Sequence, residues 1–268
     1  MSGLAAPAPG PQRHTGIDTV AVVLPAHNED QHIDSALRAV RRAADELQRM
    51  RPEVVVRVMV VLDSCNDRSA QITAGYVDAD PRFGSLDVRL RSAGASRAAG
   101  VRAALFGRPR RAPGLRPGPA PWPGRTWLAN TDADSQVPVN WLVRQLEFAE
   151  AGADAVLGSV EPDPAGMDPE LLRRWLERHP FEEDHPHIYG ANFGVRASAY
   201  LAAGGFSKQV SHEDRILVQG LRGLAFAVLA TDSMRVLTSG RTHARAPQGF
   251  GTYLRALGRQ RPPTVASN

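Results

Sequence analysis

The chain has 268 residues, 43% of them hydrophobic and 22% charged, with a formal net charge of +4. That length and composition suit one large α/β domain or two small ones with a packed core, and the mild basic excess, without zinc-ligand pairs or a basic stripe interleaved with aromatics, gives no sign of nucleic-acid binding. A single cysteine, Cys65, excludes an intrachain disulfide and fits a reducing, cytoplasmic setting, and no run approaches the ~18–20 apolar residues of a membrane span.

Residues 1–16 are rich in Ala, Pro and Gly and lack the apolar core of a secretory signal, so a disordered tail is expected. Residues 20–25 form a continuous apolar run that reads as a buried parallel strand. A helix follows, with Ile33, Leu37, Val40, Ala44 and Leu47 at spacings of three and four, closed by Pro52. Strand 54–62 ends in a polar turn, 63–67, and leads to a helix over 69–77. A short strand is expected at 87–90 and a helix from 94 to about 106. The stretch 107–124 is dense in Pro, Gly and Arg and reads as an exposed excursion without regular structure. Strand 126–130, a helix carrying Val139, Leu142, Val143, Leu146 and Ala149, and strand 155–160 complete an alternation that predicts an α/β fold with a mostly parallel, doubly wound sheet.

Beyond residue 160 the regularity changes. The pattern predicts a helix over 169–179, a polar loop at 181–187 and a Gly-punctuated strand at 189–196. A short helix over 197–203, a helix over 212–221, strands at 225–230 and 235–238, and a last helix over 251–257 follow. There is no internal repeat.

The chemistry gathers at strand ends. Strand 126–130 runs into Thr131-Asp132-Ala133-Asp134-Ser135, two carboxylates one residue apart where α/β sheets bind ligands. They suit a hard divalent cation that holds phosphate, the plain alternative being a solvated turn. Asn28, in the exit Pro25-Ala26-His27-Asn28-Glu29, reads as a helix N-cap. Asp63 ends the second strand and suits either a base or ribose contact or an Asx-turn. Arg97 opens a helix after a small-residue turn and suits either phosphate or a surface position. Gly94 and Gly100 match neither a dinucleotide-binding pattern nor a P-loop. Glu213 and Asp214 suit a general base or a helix cap. His243, between Arg241 and Arg245, suits a metal ligand beside a diphosphate or a solvated basic loop. His179, His185 and His187, with Glu182, Glu183 and Asp184, lack helix-based zinc spacing and read as a loop beside the site. Cys65 has no identifiable basic partner and reads as a small turn residue.

Six motifs stand in order: 22–29 (VVLPAHNE), 61–67 (VLDSCND), 94–100 (GASRAAG), 131–134 (TDAD), 190–193 (GANF) and 212–214 (HED). Over roughly residues 18–245 their order and spacing resemble a family-2 glycosyltransferase of the GT-A (Rossmann-like) fold. The resemblance implies a single domain over 17–258, with a nucleotide-sugar-binding half at 17–160, a smaller mixed acceptor-side half at 161–258 and a tail at 259–268. It implies that Pro25, Ala26, Asn28 and Glu29 line the nucleotide pocket, that Asp63 contacts base or ribose, and that Arg97 lies near the ribose-phosphate or sugar. Asp132 would face the ribose and metal, and Asp134 would ligate Mg2+ or Mn2+ on the diphosphate. Gly190, Ala191 and Asn192 would border donor sugar and acceptor. Asp214, with Glu213 beside it, would be the base of an inverting enzyme, and His243 a third metal ligand or, with Arg241, a diphosphate contact.

The expected function is therefore a metal-dependent transfer from a UDP- or GDP-linked sugar to the hydroxyl of a small molecule, soluble glycan or lipid headgroup. The Gln-x-x-Arg-Trp motif and membrane helices of processive members are not visible, which points to single transfers. The expected setting is cytoplasmic, and a homodimer stays open. A retaining transferase of the same fold and a non-catalytic nucleotide-sugar-binding partner are the alternatives. A nucleotidyltransferase fits less well, because Ala26-His27-Asn28-Glu29 is not a Gly-rich basic loop.

Overall fold

Five-to-nine-residue apolar runs build the middle of a single sheet. The structure is a computed structural model that describes residues 16–107, 122–165, 167–207, 213–242 and 249–259. Its strands are β1 (Thr19–Ala26), β2 (Val55–Asp63), β3 (Phe83–Val88), β4 (Thr126–Asn130), β5 (Ser135–Gln136), β6 (Ala155–Pro162), β7 (Phe193–Arg196) and β8 (Val228–Thr238). Its helices are α1 (Ile33–Met50), α2 (Ser69–Ala79), α3 (Ala93–Phe106), α4 (Trp141–Glu150), α5 (Pro169–Arg178), α6 (Ala197–Ala202), α7 (Glu213–Gly223) and α8 (Phe250–Arg259).

The sheet order is β3-β2-β1-β4-β7-β6-β8-β5. Strands β5 and β7 run against the other six, so the sheet is mostly parallel, as expected. Alternate residues of β1 feed two cores. Val20, Val22 and Leu24 pack with α1, α4, α5 and α8, whereas Ala21 and Val23 pack with α3, α6 and α7. Burial on both faces explains why β1 is apolar throughout. Helix α1 lays Ile33, Ala36, Leu37, Val40, Ala43, Ala44 and Leu47 on the sheet, each large side chain contributing roughly 1.5–3 kcal/mol by burial.

The chain passes outward from β1 to β2 and β3, then returns to β4 on the other side of β1. The carboxyl ends of β1 and β4 therefore flank the topological switch point, where open α/β sheets form their crevice.

Several boundaries differ from expectation. Strand β3 lies at Phe83–Val88, because its pairing with β2 runs from Val58↔Phe83 to Asp63↔Val88 and leaves Leu90 outside. Two strands were expected where β8 is continuous. Its polar middle survives because Asp232 accepts from Ser159 Oγ and pairs with Arg235, beside an irregularity opposite Gly158–Val160. The two-residue β5 was not expected. Helix α1 starts from His32, not from an Asn28 cap, and ends at Met50. At the end of the stretch expected to lack regular structure, Pro123–Arg125 forms a 3-10 turn, and a second such turn, Gly190–Asn192, precedes β7. No helix among the described residues is long and apolar enough to cross a membrane.

Gly100 shows why α3 can lie so close to the sheet. A Cβ there would stand 2.6 Å from Val23 Cγ1 and 2.7 Å from Val61 Cγ2, both on buried central strands. Gly100→Ala should destabilise the protein by about 1–3 kcal/mol through overpacking, despite alanine's better helix propensity. Urea unfolding of both proteins measures this; equal or greater stability of the variant would show that α3 moves freely.

Candidate functional site

A cleft of about 600 Å3 opens at the switch point. Pro25, Ala26, Asn28 and Glu29 line it from the β1 exit, Asp63 from the end of β2, Arg97 from α3, Asp132 and Asp134 from the β4 exit, and Arg241 from beyond β8. Residues up to 212 positions apart in sequence thus meet in one concavity.

The loops after β1 and β2 are stitched together. Asn28 adopts the left-handed conformation (φ 54°), which Asn tolerates better than most residues, and its Oδ1 accepts from the Asn66 N–H at 2.8 Å. The Glu29 N–H donates to Ser69 Oγ at 2.8 Å, and the Asp30 N–H to Asp67 Oδ2 at 2.9 Å. Asp67 also starts α2 by accepting the Ser69 N–H at 2.9 Å. Asp63 organises the next loop. Its Oδ1 accepts from the Leu90 N–H (2.8 Å) and Ser64 Oγ (3.1 Å), and its Oδ2 from Ser96 Oγ (2.8 Å) and the Ser92 N–H (3.2 Å). Burial pushes this carboxyl up, but the N–H of Arg91, Ser96 Oγ and the neighbouring amides outweigh it and hold it below the usual range. Ser96 was not singled out from the sequence, although it lies inside the 94–100 motif.

Two arginines meet four carboxylates. Arg97, 4% exposed, donates from Nη2 to Asp132 and from Nη1 to Glu213. Burial alone would lower its pKa; Asp132, Glu213 and Asp214 more than reverse this. Arg241 holds Glu29 with both terminal nitrogens at 2.7 Å, and its Nη2 lies 2.8 Å from Asp134 Oδ2. Among the described residues, these contacts set four carboxylates against two arginines. Asp134 carries the consequence: burial, then the charge of Asp132, push its carboxyl up to about 7 against the pull of Arg241. The donor set is all oxygen, and Mg2+-type ions use one or two carboxylates and complete their shell with water and phosphate oxygens. Asp132 and Asp134 fit such an ion; a cluster of three or more His, Cys, Asp or Glu donors is absent among the described residues.

Other expected residues lie around the cleft, not in its wall. Gly190 packs against Arg97: a Cβ there would stand 2.7 Å from Arg97 Cζ. Ala191 is in the core, and Asn192 is fully buried. The Asn192 amide donates to Ser159 O (2.8 Å) and Met234 O (2.9 Å) and accepts from Trp141 Nε1 (2.9 Å), so its polar atoms serve the core. Glu213 is buried on Arg97, whereas Asp214 is half-buried at the first turn of α7, its Oδ1 accepting the Arg215 N–H at 2.8 Å. His243 and His212 lie outside the described residues. Phe250 at the start of α8 lines the cleft beside Gly249 and Gly251, and nothing in the sequence signalled it.

His179, His185 and His187 form a column of rings that extends over Trp175, Tyr189 and Tyr253, with His179 stacked on Trp175 at 4.5 Å. Burial lowers the pKa of His179 and His187. The Cys65 thiol is pushed up by burial and lies 3.4 Å from Ala26 O, in keeping with a turn residue.

No family model matches the sequence, and no curated protein matches it. Solved structures do. The chain superposes on S. aureus TarS in complex with UDP-GlcNAc with a TM-score of 0.57 at 12% identity, covering 87% of this chain and 61% of that one. The mannosyltransferase PcManGT from Pyrobaculum calidifontis, in complex with GDP-Man and Mn2+, gives a TM-score of 0.59 at 17% identity, covering 94% and 63%. A mycobacterial protein gives 0.51 at 17% identity, covering 91% and 72%. The chain thus spans less than two thirds of the length of the first two. Identities this low carry a likeness of fold, and that fold is the GT-A fold of nucleotide-sugar glycosyltransferases.

Proposed function

We propose that the chain is a metal-dependent glycosyltransferase that moves a sugar from a UDP- or GDP-linked donor to an acceptor hydroxyl. The observation that carries this is the cleft at the β1/β4 switch point, where Asp132 and Asp134 stand one residue apart at the β4 exit, each ion-paired to an arginine of the cleft wall. UDP-GlcNAc in the TarS complex, and GDP-Man with Mn2+ in the PcManGT complex, belong to folds of the same kind and support a nucleoside-diphosphate sugar as donor.

The roles follow from position. The β1 exit and Asp63 form the nucleoside end of the cleft, with Asp63 shaping the loop from Leu90 to Ser96. Asp134 and Asp132 would hold Mg2+ or Mn2+, which when bound neutralises charge on the departing diphosphate. Arg97 fixes Asp132, and Arg241 supplies positive charge on the diphosphate side. Asp214 takes the acceptor proton, since Glu213 is committed to Arg97. The reaction is inverting in this reading and delivers one sugar per encounter. One observation favours a retaining alternative: neither Glu213 nor Asp214 is among the residues that line the cleft. The anomeric configuration of the product, read by NMR, decides between them.

Thermal-shift screening with UDP- and GDP-sugars with and without Mn2+ tests the donor site. Asp134→Ala should abolish the metal-dependent part of the shift; a full shift in that variant removes Asp134 from the metal site. Asp214→Asn should keep donor binding and lower transfer by about 100- to 10,000-fold. Wild-type transfer by Asp214→Asn would exclude it as the base. Donor binding without transfer in the wild type, across a broad acceptor panel, would support a non-catalytic binding partner instead.

A further inference from the structure

Arg241 occupies the place of a cation. Its two terminal nitrogens grip Glu29 as a fork, each at 2.7 Å, while Nη2 alone reaches Asp134 Oδ2 at 2.8 Å. The Glu29 end is anchored. That side chain is 7% exposed, its backbone N–H is tied to Ser69 Oγ, and its carbonyl accepts the N–H of His32 and Ile33 at the entry to α1. The Asp134 end is a single contact from a guanidinium whose side chain is 25% exposed. Asp132 differs: its arginine, Arg97, is 5% exposed at the side chain and locked on its far side by Glu213. One aspartate of the pair therefore meets an arginine buried between two acids, and the other an arginine whose fork is spent on Glu29.

A divalent ion on Asp134 would stand within a few ångströms of the Arg241 nitrogen, and like charges that close repel strongly in a partly buried cleft. Resting on the reading of the cleft as a nucleoside-diphosphate-sugar site, we infer that Arg241 is an exchangeable counter-ion. In the metal-free protein it neutralises Asp134. When metal arrives with a nucleoside diphosphate, Arg241 gives up its ion pair with Asp134, keeps its fork on Glu29, and turns its charge to the diphosphate. No bond is made or broken; one ion pair is traded for another. The metal then binds weakly alone and more tightly with the diphosphate, because only the diphosphate gives Arg241 a replacement partner. Donor and metal load together, and Glu29 is the positioning residue that keeps Arg241 within reach of both.

Mn2+ binding to the full chain, followed by the electron paramagnetic resonance signal of free Mn2+, tests this without turnover. In the absence of nucleotide, Arg241→Gln should bind Mn2+ about tenfold more tightly than the wild type, since the competing charge is gone. Adding UDP or GDP should tighten Mn2+ binding in the wild type and do so by a smaller factor in Arg241→Gln. Arg241→Lys keeps the charge and should bind bare Mn2+ as weakly as the wild type. Equal or weaker Mn2+ binding by Arg241→Gln, a lysine variant as tight as the glutamine variant, or no Mn2+ binding by either the wild type or Arg241→Gln would each overturn the exchange. A failure of the functional reading looks different: calorimetry would show neither UDP nor GDP binding to the wild type, while the effect of Arg241→Gln on bare Mn2+ would remain.

Discussion

A buried guanidinium holds the two parts of the cleft in register. Arg97 joins Asp132, 35 residues on, to Glu213, 116 residues on, and is almost wholly shielded from water. Such a group is tolerable only when paired: removing one partner of a buried ion pair typically costs about 3–5 kcal/mol. The fold makes room for it by omission. A Cβ on Gly94 would stand 2.7 Å from Glu213 Cγ, and one on Gly190 would strike the Arg97 guanidinium. The glycine pattern around residue 94 matches no phosphate-binding loop because its purpose here is close packing. Helix α3, the turn before β7 and the start of α7 converge on that one side chain. Ser92 caps α3 by accepting the Ala95 N–H at 3.3 Å. Asp63 then ties the same loop to β2, so the cleft wall is continuous from the end of β2 to Arg97.

The charge left over is the second constraint. A partly buried cleft with more carboxylates than arginines is unfavourable to fold around, because desolvating charge is costly unless it is neutralised. That cost shows in Asp134, whose carboxyl is pushed up by burial and by the charge of Asp132. A protein selected for stability alone would replace one of these acids. Keeping them places the cost where a ligand can offset it, which is the expected signature of a binding or catalytic site.

How much of this was legible in the sequence depends on whether a feature is local. Strands β1, β2, β4 and β6 are unbroken apolar runs because both faces are covered, and α1 shows its buried stripe directly. Strand β3 lies at the sheet edge, where Gly84 and Ser85 are weak strand formers and the pairing with β2 decides the bounds. Strand β8 hid its continuity behind Asp232 and Ser233, whose partners Ser159, Arg235 and Thr231 are visible only in three dimensions. In the candidate site, position at a strand end singled out Asp63, Asp132 and Asp134, each beside a plain turn reading, and all three line the cleft. Their partners were not readable. Nothing local says that Glu29 will grip an arginine 212 residues away, or that Asn192 will spend its amide on Ser159, Met234 and Trp141. Asn192 resembles a ligand-facing residue by motif, yet its surroundings are core.

The same contacts make the two aspartates of the pair unequal, which spacing alone cannot do. Asp132 has an oxygen committed to an arginine that is itself immobilised on Glu213, so its direction is set before any ligand arrives. Asp134 meets Arg241, whose stronger attachment is to Glu29. Preorganisation argues for one fixed acid, since electrostatic stabilisation is most effective when the protein need not reorganise during the reaction. Loading and release argue for one acid that can exchange partners, since a site that grips its ion too firmly is slow to turn over. On the proposed metal-dependent reading the two requirements fall on different residues, and the difference between them comes from which arginine each aspartate meets.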